Sequence, residues 1–244
     1  MANSSGFFPA QLHRPRQRHR NLARLAAVFL WPFLSLGAAG APDYLSAALA
    51  SFSPEVPSHW AYSLTTERAG VVTTERFDPS KPPIEQWTLL ATAGHGSTEA
   101  EREKYFKYKA SQTPGALKAT FQRSDIEPGS IRLIREGPDR AEFSGTFREQ
   151  SAGADKMLAH LQLTLIINKR RQRVERYSLT LIAPYSPILG VKMNELVVTM
   201  DFSPSPDAPI NLPSASSSHF TGRIFFFPIE ENIRYRYYDF TTTP

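Results

Sequence analysis

The chain of 244 residues has no cysteine. This excludes disulfides, thiolate metal centres and cysteine nucleophiles, and with them lipid attachment at a lipobox cysteine. Any stability in an oxidising compartment must then come from the core alone. Acidic residues are missing from one whole region: Met1 to Pro42 contains no aspartate, glutamate or lysine. Catalytic signatures are also absent, since no HExxH, GxSxG, Walker A or GxGxxG pattern occurs. Four histidines lie beyond the first 42 residues (His59, His95, His160 and His219), no two of them near each other in sequence. A hydrolase would need His95 or His219 brought beside a serine and an acid by folding alone. The expectation is a non-enzymatic protein without metal or cofactor. Ala93-Gly-His-Gly-Ser97 lacks the strand and lysine of a phosphate loop and reads as the lead-in to a helix.

What the first region does contain is Arg14, Arg16, Arg18, Arg20 and Arg24, followed by an uncharged run from Leu25 to Pro42. Leu25 to Leu36 forms an apolar h-region, and Gly37 to Ala41 supplies the small residues of a cleavage site. Residues 1–41 are therefore expected to be a signal peptide for the general secretory route. Cuts after Ala39, Ala41 or Ala50 all satisfy the small-residue rule. An uncleaved anchor is the alternative, because about 18 uncharged residues can just span a bilayer; Pro32 and the small-residue tail favour cleavage. The expected localisation is the periplasm, in soluble form, with no stable membrane span once the signal is removed.

Cleavage also changes the charge. The chain has 28 basic and 23 acidic residues; without the five arginines the balance is 23 to 23. A near-neutral mature chain argues against nucleic acid as a partner, which requires a basic excess. Residues 42–58 form a lead-in, and 59–244 suffice for one domain with a sizeable core.

Beyond residue 59 the dominant period is two, the mark of strands. Trp60, Tyr62 and Leu64 alternate with polar neighbours, as do Leu161, Leu163, Leu165 and Ile167. Tyr177, Leu179 and Leu181 follow a charged turn at Asn168–Arg173, and Leu196, Val198, Met200 and Phe202 repeat the spacing. Phe225 and Phe227 are expected on one side of a strand, with Phe220, Ile224 and Phe226 on the other. Ile131 to Phe143 reads as a hairpin about Glu136-Gly-Pro-Asp139. Arg234 and Arg236 alternate with Ile233, Tyr235 and Tyr237, as a binding stripe or as edge-strand protection.

One helix stands out: Thr98 with Glu101 forms a capping box, acidic residues precede basic ones, and Tyr105 and Phe106 are expected to anchor it. Short helices are also expected near Ala116 to Gln122 and Ala154 to Ala159. Ser203 to Pro213, with four prolines, reads as a long loop inside one domain.

The expected fold is mainly β with a few short helices, its ten or eleven strands forming an antiparallel meander. Twist must curl such a sheet into an open or closed barrel, or split it into a sandwich. The concave side then has to be covered by side chains, by helices or by an apolar ligand. A membrane-spanning barrel is disfavoured by Lys192, Glu195 and Arg223 within the strands.

Phe77-Asp-Pro79 ahead of Trp87-Thr-Leu-Leu90, Val174-Glu175, Pro184-Tyr-Ser-Pro187, Gly190-Val-Lys192 and Phe220-Thr-Gly-Arg223 resemble a group of proteobacterial exported proteins of the LolA-like superfamily. The resemblance implies a strongly curved, incomplete barrel with helices closing its open side. It also implies a lipid, or the acyl chain of a lipoprotein, as ligand. No ligand-contacting residue carries over from it. The candidates for the apolar hollow are Trp60, Tyr62, Leu64, Leu161, Leu163, Leu165, Leu179, Leu181, Leu196, Val198 and Met200. The alternative is an envelope scaffold or sensor module with a filled core, acting through contacts with other envelope proteins.

Overall fold

The computed structural model describes residues 41–111, 121–149, 157–205 and 210–243. The expected signal peptide lies outside them, apart from Ala41, as do most of the two short helices expected near residues 116 and 154. From Gly40 onward the chain forms a compact unit built on one eleven-stranded antiparallel sheet. Its strands are β1 (Trp60–Arg68), β2 (Val71–Phe77), β3 (Trp87–Thr92), β4 (His95–Gly96), β5 (Arg132–Glu136) and β6 (Arg140–Thr146). They continue with β7 (Leu161–Asn168), β8 (Arg173–Leu181), β9 (Val191–Pro204), β10 (Asn211–Ile224) and β11 (Phe227–Thr242).

The spatial order is β4-β3-β2-β1-β11-β10-β9-β8-β7-β6-β5. All but one of the neighbours are also neighbours in sequence, as the meander reading expects. The exception joins the first strand to the last, with Leu64 opposite Tyr237 and Thr66 opposite Tyr235. The sheet is curved but not closed: β4 and β5 are its free edges.

Register carries one face across the sheet. Leu165 lies opposite Phe143 and Tyr177, Tyr177 opposite Met200, Met200 opposite Ser216, and Ser216 opposite Tyr235. Tyr235 then pairs with Thr66 of β1. Because paired residues point to the same side, this row lines the concave face. The opposite face of the same strands carries ion pairs, among them Arg135–Glu142 at 2.9 Å and Arg140–Glu175 at 2.6 Å.

Helix α1 (Asp43–Ala50) inserts Leu45, Ala48 and Leu49 into the core and packs on β8. Helix α2 (Glu99–Ser111) starts as the capping box requires: Glu101 Oε2 accepts from Thr98 N–H at 2.8 Å, and Thr98 Oγ1 accepts from Glu101 N–H at 3.3 Å. It packs on β3, but its anchor differs from expectation. Phe106 is exposed, whereas Tyr105 and Lys109, one turn apart, form the contact face.

Several other expectations are corrected. The phenylalanine-rich segment is not a strand interior: β10 ends at Ile224, β11 begins at Phe227, and Phe225-Phe226 form the turn between them. Alternation cannot distinguish a turn whose residues are as apolar as the strands beside it. Strand β11 is central rather than an edge, so Arg234 faces Glu67 across the ladder at 3.5 Å instead of guarding an open edge. The proline-rich loop is shorter than expected, since β9 runs to Pro204 and β10 starts at Asn211; Pro213 sits beside a register shift. That position tolerates proline because the ladder is already interrupted there. Ala93-Gly94 is the tight turn of a β3–β4 hairpin, with Gly94 at φ +83°.

Candidate ligand-binding face

The residues expected to line a hollow are on the concave side, but they fall into two environments. Leu161, Leu163, Leu165, Leu179, Leu181 and Leu196 are sealed in the core, packed with α1, Phe121, Phe147, Met157 and Leu158. Phe52 reinforces this seal, its ring 5.9 Å from Phe121 and edge-on to Tyr177 and Phe202. On this side the protein's own side chains fill the curve.

The middle of the face is different. Val198 and Met200 are half-buried at the margin of the core, and Ser216, Ser218, Ile233 and Tyr235 beside them on β10 and β11 are also half-exposed. This strip lies between the strand that carries α1, β8, and the strand that carries α2, β3. It combines apolar side chains with two small serines.

The far side of the face is aromatic. Tyr62 meets Phe77 at 5.2 Å, Trp87 edge-on at 5.9 Å, Tyr237 at 5.8 Å and Phe240 at 5.7 Å between ring centroids. Trp60 is buried against Phe240, and its indole N–H has no hydrogen-bond partner. Leu64 is buried beside this cluster. Burial pushes the Tyr62 phenol up to about 12, with the Glu75 carboxylate adding to the effect. Tyr237 is raised by burial and by neighbouring tyrosines, and Tyr177, across the face, reaches about 12 by burial. Desolvation dominates in all three because a phenolate would lose its hydration without gaining a cation.

One charge sits within the aromatic side. Glu75 is buried on β2, and Lys109 reaches it from α2 at 3.2 Å. The Lys109 ammonium also lies 4.3 Å from the Trp87 ring centroid and 5.2 Å from that of Tyr105. This arrangement was not identified from the sequence. The signal was present in the alternation of Thr73, Glu75 and Phe77, which puts the acid on the same side as the aromatic ring.

The remaining polar features are satisfied locally. A cleft of about 540 Å³ is lined by Arg135, Arg140, Glu142, Glu175, Arg176 and Asp201. Each of these acids is paired, with Arg176 on Asp201 at 2.5 Å completing the set. The histidines stay apart: His160 stacks on Tyr185 at 3.8 Å, while His219 lies between Glu195 and Asn232. Among the described residues no three histidine, aspartate or glutamate side chains converge as a metal site, and no helix is long and apolar enough to cross a membrane.

In comparisons with known proteins, no family model, curated protein or solved structure matches this chain.

Proposed function

We propose that the chain is an exported, soluble, non-enzymatic protein of the periplasm that holds a lipid or the acyl chain of a lipoprotein against its concave face. The supporting observation is the contrast within that face. The β6–β8 side is sealed by α1 and Phe121, while the Val198, Met200, Ile233 and Tyr235 strip beside it stays half-open. An extended hydrocarbon laid along this strip would bury apolar surface at about 25 cal/mol per Å², offset by the cost of ordering it. The resemblance to LolA-like exported proteins points to the same ligand class.

The test is native mass spectrometry of the chain from Gly40, together with uptake of a fluorescent fatty acid. Bound lipid or saturable uptake is expected, with Met200→Asp weakening uptake roughly tenfold or more. Neither co-purified lipid nor uptake would end this reading.

A second reading is favoured by the sealed half: a scaffold or sensor module whose core is complete and whose function lies in contacts with envelope proteins. It expects no lipid, and the same mass spectra decide between the two.

A further inference from the structure

Strands β9, β10 and β11 outrun their neighbours at one end of the sheet. The first β9 residue paired with β8 is Val197, and the first β11 residue paired with β1 is Ile233. Residues Val191 to Leu196, His219 to Ile224 and Phe227 to Asn232 therefore form a three-stranded tongue whose strands pair with neither sheet half, its base held in the core by Met193 and Leu196. From Met193 outward, at about 3.3 Å per residue, its free end projects roughly 10 Å.

The end of this tongue is apolar. Leu189 is 98% exposed, Phe226 93%, Phe227 74%, and Ile188 and Phe225 about two-thirds. Lone exposed apolar side chains are ordinary, but five at one tip form a patch that calls for a partner.

The tip is also built to be rigid. The turn Ile188–Val191 is closed by Val191 N–H donating to Ile188 O at 3.1 Å, with Gly190 at φ +83°. Behind it, Tyr185 and Met193 exchange two backbone hydrogen bonds at 2.9 and 2.7 Å. The two turns are joined: Phe225 N–H donates to Gly190 O at 2.5 Å, and the Phe225 ring lies where a Gly190 side chain would be. Phe225 itself has φ 52°, a conformation that glycine or asparagine adopts without cost and a bulky residue does not.

Charge specifies the partner. Lys192 and Arg223 are direct cross-strand neighbours just behind the tip, and neither has an ion pair among the described residues. No acidic residue occurs from Ile182 to Asn194 or from Phe220 to Ile229; the acids of the tongue, Glu195, Glu230 and Glu231, lie further from the tip, with Glu195 3.7 Å from His219 and Glu231 paired to Arg68. Two like charges set opposite each other cost stability, and an anionic surface just behind the apolar tip would reverse that cost. We infer that the tongue docks on a lipid bilayer bearing anionic headgroups, inserting the Leu189 and Phe226 turns at the interface and setting Lys192 and Arg223 among the phosphates. The inference does not depend on the concave face carrying a ligand.

The experiment is vesicle flotation of the chain from Gly40, comparing phosphatidylcholine vesicles containing phosphatidylglycerol with pure phosphatidylcholine. Binding to the anionic vesicles is expected. L189S together with F226S should weaken it roughly tenfold or more. K192Q with R223Q should remove the preference for anionic lipid, a loss of roughly tenfold. Circular dichroism should show both pairs folded. M200D, which addresses the concave face, should float like the parent. No flotation, equal binding to both vesicle types, or binding indifferent to the tip substitutions would each overturn the inference. Tip-dependent self-association in sedimentation without vesicle binding would overturn it in favour of a second copy of the chain.

Discussion

Lys109 of α2 and Glu75 of β2 meet at 3.2 Å, with the lysine ammonium 4.3 Å from the Trp87 ring centroid. The pair fastens α2 to the aromatic side of the sheet. Removing one partner leaves a charge buried without compensation, whereas removing both can be nearly neutral. Lys109→Met is expected to cost about 2–3 kcal/mol, below the fully buried case because Lys109 keeps 25% of its side-chain surface. The double variant Glu75→Gln with Lys109→Met should recover most of that loss. Denaturant unfolding of the four chains gives the coupling directly; additive losses would show that the pair does not act as a unit.

The buried phenols predict how stability varies at high pH. Tyr62 and Tyr177 titrate near 12 in the folded chain against an ordinary 10.0. The unfolded chain therefore gives up these protons first, so their contribution is complete below pH 10 and is lost as pH rises to about 12. The loss should approach about 2 kcal/mol per phenol. Tyr177→Phe should flatten this part of the profile, and phenolate absorbance should show a late-titrating class of tyrosines.

Glycines at close approaches should behave differently from glycines at open turns. A Cβ on Gly222 would strike the Lys192 carbonyl and lie 2.7 Å from the Phe220 ring. Gly222→Ala is thus expected to cost about 2–4 kcal/mol. Gly70 also has a positive φ, +77°, but nothing lies within 4 Å of its missing Cβ. Gly70→Ala should cost only about 1 kcal/mol, the backbone strain alone. Thermal melts of the two variants make the comparison, and equal losses would contradict the close approach of β9 to β10 at Gly222.

Leucines of the core and of the tip should separate just as sharply. Leu163 and Leu179 are fully buried, while Leu189 is 98% exposed. Leu163→Ala or Leu179→Ala should cost about 2–5 kcal/mol through lost burial and a residual cavity. Leu189→Ser should change stability by no more than about 0.5 kcal/mol. A large loss at Leu189 would mean that the tip is part of the fold rather than a surface presented to a partner.

Much of the sheet was legible in the residues because alternation reports directly which side of a strand is buried. Leu161 to Ile167 and Tyr177 to Leu181 show the expected alternate burial. The Glu136-Gly-Pro-Asp139 turn and the Thr98–Glu101 cap depend on a few adjacent residues, and both occur as read. The candidate face was only half legible. Alternation places Leu163 and Met200 on the same side, but it does not say that α1 and Phe121 cover one and leave the other at the margin.

By itself, then, the order of apolar and polar residues determined an antiparallel, largely sequential sheet, because strand period and turn chemistry act over a few residues. Only the tertiary structure decided that β1 closes against β11, that Glu75 receives a lysine from α2, and that Phe225 and Phe226 end a projecting tongue. Each depends on contacts between distant parts of the chain, where packing and register select among arrangements that local preference leaves equal.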